Sequence, residues 1–116
     1  MNKHGKINYL EIPVKNINQT KEFFKSVFDF NFTDYGPNYT SFINEGIDGG
    51  FYESDSKPFS SSTCALIIFY SSDLEETQVK VSNNNGTIVK KTFTFPGGRR
   101  FHFEDPNGNE YAVWSE

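Results

Sequence analysis

The chain has 116 residues, enough for one domain but not for two of ordinary size. Thirteen Phe, six Tyr and one Trp make up about half of the apolar residues. There are only three Leu and two Ala, which argues against a Leu/Ala-rich helical bundle and for aromatic-packed sheets. Mean hydropathy is -0.60, no run approaches the ~18 apolar residues of a membrane span, and no charged-then-apolar leader opens the chain. A net charge of -4 and a pI near 5.1 speak against a nucleic-acid partner. Cys64 is the single cysteine, so there is no intrachain disulfide and no Cys cluster for zinc. The composition is that of a soluble, cytoplasmic, sheet-rich domain.

In chain order, residues 7–14 read as a strand. Asn16 then offers an N-cap, with Gln19 three residues on. Ile17, Phe24, Val27 and Phe28 fall at helical spacing and predict an amphipathic helix over 17–28. Short strands are predicted at 30–35, 38–43 and 48–53, separated by turn formers at Gly36-Pro37 and Asn44-Glu45-Gly46. A polar, Ser-rich linker covers 54–63.

The pattern then returns. Residues 65–70 read as a strand. Asp73 and Glu76 form a capping pair, and Leu74 and Val81 mark one face of a helix over 74–83. Gly86 suits a left-handed helix cap. Strands follow at 87–95, 99–104 and 109–115, with turns at Pro96-Gly97-Gly98 and Asp105-Pro106-Asn107-Gly108. A shift of 57 residues lays Asn16 on Asp73, Ile17 on Leu74 and Thr20 on Thr77. The chain is therefore expected to be one α+β domain over 1–116, with βαβββ modules at about 7–53 and 64–115. Each module is too small to bury much core alone, so the modules should pair within the chain or across a homodimer.

The repeated βαβββ unit resembles the vicinal oxygen chelate superfamily, the glyoxalase, bleomycin-resistance and dioxygenase group. Three stretches carry the resemblance: the opening strand running into Thr20-Lys21-Glu22-Phe23-Phe24-Lys25-Ser26-Val27-Phe28-Asp29-Phe30; Tyr70-Ser71-Ser72-Asp73-Leu74; and the closing hairpin from Arg99 to Asn109. It implies curved mixed sheets with helices on the convex side and a ligand site on the concave side. In the metal-using members two pairs of His, Gln or Glu ligands hold a divalent ion that polarises vicinal oxygens. Carried over, those positions fall on Tyr9, near Leu66, on Ala112, and on Phe51 or Glu53. Ala and Leu cannot ligate and neutral Tyr ligates poorly, so no metal and no other cofactor is expected. A site built from His102, Glu11 and Glu53 would rest on no spacing rule, and His4 lies in a polar, solvated segment.

Strand alternation puts Tyr9, Glu11, Arg100, His102 and Trp114 on the concave side, with Glu110 in line with Trp114 and with Phe101 and Phe103 facing the helices. Glu11 either pairs with Arg100 and fixes strand register or acts as a general base. His102 is either a hydrogen-bonded structural histidine or the group that titrates near neutrality in the cleft. Arg100 either clamps a carboxylate or phosphate or is surface charge. Tyr9 and Trp114 offer ring faces to a planar or cationic ligand, or fill the cleft.

Three functions follow. The first is metal-free binding of an aromatic or cationic small molecule, with substrate-binding Tyr9, Arg100 and Trp114 in a dimer cleft. The second is a glyoxalase-related lyase, isomerase or transferase, using unusual metal ligands or catalytic Glu11 and His102. The third is a regulatory subunit with a vestigial cavity. The turn at 105–108 is expected to be an ordinary hairpin without chemistry.

Overall fold

A computed structural model describes residues 2–116. The first strand, β1 (Tyr9–Val14), turns Leu10, Ile12 and Val14 inward and Tyr9, Glu11 and Pro13 outward. It lies at a sheet edge, where Pro13 is tolerated. Asn16 then caps α1 (Ile17–Phe28), its side chain accepting the Gln19 N–H at 2.9 Å. Asp29, at φ 59°, closes the helix, and its N–H donates to the Lys25 carbonyl.

Strands β2 (Thr33–Asp34), β3 (Tyr39–Phe42) and β4 (Asp48–Glu53) follow. The first sheet has the order β1-β4-β3-β2, with β1 and β4 parallel. After the linker come β5 (Ile68–Tyr70), α2 (Leu74–Asn83), β6 (Thr87–Phe95), β7 (Gly98–Glu104) and β8 (Glu110–Ser115). Their sheet repeats the topology as β5-β8-β7-β6. The α+β reading and both helices stand as predicted. The strand predicted over 30–35 is reduced to two paired residues because Phe30 and Phe32 turn into the core instead of joining the ladder. The strand predicted at 65–70 begins at Ile68.

The left-handed residue after α2 is Asn85, at φ 69°, and not Gly86. Gly86 is needed for space. A Cβ there would stand 2.6 Å from Val81 Cγ1 and 2.9 Å from Phe23 Cε1, where the helices meet the second sheet.

The two sheets share one aromatic core on their helix side. Phe24 of α1 stacks on Phe51 of the first sheet at 5.2 Å and meets Tyr111 of the second edge-on at 5.4 Å. Phe23 reaches Phe103 at 5.7 Å, and Phe28 stacks on Phe69 at 4.1 Å. Most of the phenylalanine excess is spent here, joining two units that bury little alone.

The hairpin turn 105–109 does more than close a hairpin. The Asp105 carboxylate accepts the N–H groups of Asn107 and Asn109, both at 3.0 Å. Asn107 Oδ1 accepts the N–H groups of Lys15 and Asn16, while its Nδ2 donates to Thr20 Oγ1. Asn109 Nδ2 donates to the Pro13 carbonyl at 2.8 Å. A buried polar turn of the second module is thus bonded to the junction of β1 and α1 in the first.

Candidate functional site

The face of each sheet turned away from the helices carries the polar side chains. On the first sheet, Tyr39 Oη donates to Glu11 Oε2 at 3.0 Å and lies 2.6 Å from Tyr9 Oη. The single phenolic proton of Tyr39 goes to the carboxylate, so Tyr9 donates to Tyr39. A directed chain Tyr9→Tyr39→Glu11 results. Burial raises the Tyr39 phenol well above its ordinary pKa, and its bonds with Tyr9 and Glu11 push the same way.

Tyr39 sits on β3 and Glu11 on β1, so the phenol must cross the intervening β4. Gly50 makes that possible. It pairs with Glu11 on one side and Ser41 on the other, and a Cβ at Gly50 would stand 2.2 Å from Tyr39 Oη.

On the second sheet, His102 Nδ1 lies 2.7 Å from Glu110 Oε2, and Glu110 Oε1 accepts the Ser61 N–H at 2.8 Å. Burial pushes the Glu110 carboxyl up, but the bonds from Ser61 and His102 outweigh it and hold the group below its ordinary value. His102 is 3 % exposed, and its Nε2 is buried without a protein partner. The carboxylate at Nδ1 orients the ring with Nε2 left over, an arrangement in which imidazole can move a proton. Arg100, two residues earlier on the same face, places its guanidinium 5.2 Å from the Phe93 ring and 5.7 Å from that of Phe95. Trp114 is paired with Arg100 across the strands and contacts Tyr70 and Phe95.

The five residues singled out from sequence therefore fall into two groups, Tyr9 with Glu11 and Arg100 with His102 and Trp114. Among the described residues no hydrogen bond or ion pair joins the groups. The Glu11–Arg100 pair is not formed: Glu11 accepts the hydrogen bond of the Tyr39 hydroxyl, and Arg100 packs on aromatic rings. Sequence reasoning missed Tyr39 and the partnership of Glu110 with His102. Counting register outward from the Asp105 turn puts Glu104 opposite Glu110 and His102 opposite Ala112, which would have exposed the second.

The model for the Glyoxalase/Bleomycin resistance protein/Dioxygenase superfamily matches residues 6–113. The chain belongs to that superfamily. Among solved structures, a glyoxalase-related enzyme from Fulvimarina pelagi superposes with a TM-score of 0.81 at 11% identity, over 97% of this chain and 88% of its own. The fosfomycin resistance protein FosX from Listeria monocytogenes gives 0.80 at 18% identity, over 98% and 95%. A lactoylglutathione lyase from Agrobacterium tumefaciens gives 0.71 at 12%, over 97% and 95%. At these identities the likeness is one of fold. No curated protein matches the sequence.

The divalent ion implied by this superfamily can be tested against the donors present. Phe51 lies in the core with 1% exposure, and Glu53 follows it on the same side of β4. By strand pairing Gly50 stands beside Glu11 as Ala112 stands beside Ile68, which makes Gly50 the first-sheet counterpart of Ala112. Tyr9, Leu66, Gly50 and Ala112 do not make a ligand set, and the space above Gly50 is taken by the Tyr39 phenol. Among the described residues no group of three or more His, Cys, Asp or Glu could hold a metal ion. The residues present do not fit the ion.

Proposed function

We propose that this chain binds a small aromatic or cationic molecule in the cytoplasm without a divalent ion, on the sheet faces turned away from the helices. The observation that carries the reading is the Tyr9–Tyr39–Glu11 chain over Gly50. It fills the corner where metal-using relatives would need a ligand and leaves a carboxylate beside two phenol rings, a combination suited to an organic cation. Tyr9 is 42% exposed, so its ring is open to a ligand. Arg100 and Trp114 supply the contacts of the second face.

In this reading two copies pair, bringing a first-module face against a second-module face. The exposed side chains of Ile7, Ile68 and Tyr70 support that pairing. The test is titration of metal-free protein with benzyltrimethylammonium, read by Trp114 fluorescence, melting temperature and light scattering. Quenching and stabilisation in chelator, from a dimer, are expected; an unchanged melt across aromatic cations refutes the reading.

A second reading, a metal-free lyase or isomerase, is favoured by the His102–Glu110 pair. Here His102 Nε2 moves the substrate proton and Glu11 serves as the opposing base. It requires turnover to be lost in both Glu11→Gln and His102→Ala.

A further inference from the structure

A second cavity lies on the opposite, helix side of the sheets. It occupies about 560 Å3 between the two modules, a size that suits a small molecule. At the C-terminal end of β1 the modules are tied by the Asn109–Pro13 bond. Towards its N-terminal end they separate, and the cavity opens there between Leu10 and Ile12 of β1 and Ile67 and Phe69 of the β5 segment. These are the inward side chains of β1, alternate to Tyr9 and Glu11; only at the β5 rim, where Ile68 and Tyr70 join the lining, does the cavity border the faces described above.

Its floor includes Phe24 and Phe51, each only 1% exposed, so a slender group reaches it and a flat protein surface does not. Among the described residues Glu45 is the one charged side chain in the lining, and no Lys, Arg or His faces the space. Glu45 is held at the hairpin tip between β3 and β4. Its Oε2 accepts the Asn31 N–H at 3.0 Å, and Oε1 has no partner among the described residues.

An apolar cavity with a single fixed carboxylate, in a chain of net charge -4, selects the sign of its ligand. We propose that this cavity binds a hydrophobic amine, with the alkyl or aryl body against the phenylalanines and the ammonium on Glu45 Oε1. A fatty carboxylate of the same length would set like charges together.

The test uses the whole protein with N-phenyl-1-naphthylamine as a neutral fluorescent probe, displaced by butylamine, hexylamine, octylamine, octanol or octanoate. Amine affinity should rise roughly threefold to fourfold per methylene, and octanoate should bind at least about tenfold more weakly than octylamine. Glu45→Gln should bring octylamine to within about twofold of octanol and leave octanol unchanged. Leu10→Trp and Ile47→Trp, two independent fillings of the wall and the mouth, should each abolish probe binding while Trp114-face binding of benzyltrimethylammonium persists. Glu11→Gln should leave displacement by octylamine unaltered, which separates this site from the one proposed above. Equal affinity for octylamine and octanoate, insensitivity to Glu45→Gln, or probe binding that appears only when a dimer dissociates would overturn the proposal. The last result would mean that a second copy covers the cavity.

Discussion

Gly50→Ala is the smallest change that tests how the first-module face is built. The added Cβ would stand 2.2 Å from Tyr39 Oη and 2.5 Å from its Cζ, well inside van der Waals contact. The phenol must swing away by about 1 Å or more. That breaks the 2.6 Å bond from Tyr9 and the 3.0 Å bond to the Glu11 carboxylate. Two bonds at a partly exposed site, one with a charged acceptor, are together worth about 2–3 kcal/mol. Replacing glycine by alanine in a strand returns about 0.5–1 kcal/mol of backbone entropy. The net expectation is about 1–2 kcal/mol of destabilisation, or a fall in Tm of roughly 4–8 °C for a chain of this size.

Urea unfolding of the wild type, Gly50→Ala, Tyr39→Ala and the double variant closes a cycle. Without the ring there is nothing to displace. Gly50→Ala should then be neutral or slightly stabilising in the Tyr39→Ala background, giving a coupling of about 1–2 kcal/mol or more. Equal costs of Gly50→Ala in both backgrounds would show that Gly50 serves the β4 backbone and not Tyr39.

Two other predictions concern the turn that joins the modules. Asn107→Ala removes the acceptor of the Lys15 and Asn16 amides and the donor to Thr20 and Asp105, and should destabilise by about 2–4 kcal/mol. Hydrogen exchange should accelerate at those two amides more than in the middle of β7. Burial raises the Asp105 carboxyl to about 6, against the bonds from Asn107, Asn109 and Gly108 that favour its charged form. The folded state therefore binds this proton more tightly than the unfolded state. Its contribution is full below about pH 4 and is lost as pH rises through 6, by about 3 kcal/mol at most. Urea midpoints across pH should show this downward component, and Asp105→Asn should remove it.

Much of the fold was legible because its signals are local. Asn16 and Asp73 cap their helices with their own side chains, and Leu10, Ile12 and Val14 alternate with period two. The face assignment of Arg100, His102 and Trp114 followed from the same alternation. What sequence could not supply depends on strand neighbours. Nothing local to Tyr39 says that it crosses a glycine to reach Glu11 two strands away, and nothing local to Arg100 says that it prefers Phe93 and Phe95 to a carboxylate. The turn residues Asn107 and Asn109 read as ordinary hairpin formers because their partners lie roughly ninety residues away. The same limit applies to the first-sheet counterpart of Ala112: counting along the chain leads to Phe51 or Glu53, whereas pairing with β1 leads to Gly50.

The proposed binding mode places a phenol–carboxylate corner where a metal ligand pair would otherwise be. Calorimetric titration of chelator-stripped protein with benzyltrimethylammonium, alone and after addition of Mn(II), Ni(II) or Zn(II), tests it most directly. Saturable binding is expected that none of the three ions changes and that Glu11→Gln weakens about fivefold to tenfold. Binding that appears only once a stoichiometric ion has been taken up would rule out the metal-free binding mode.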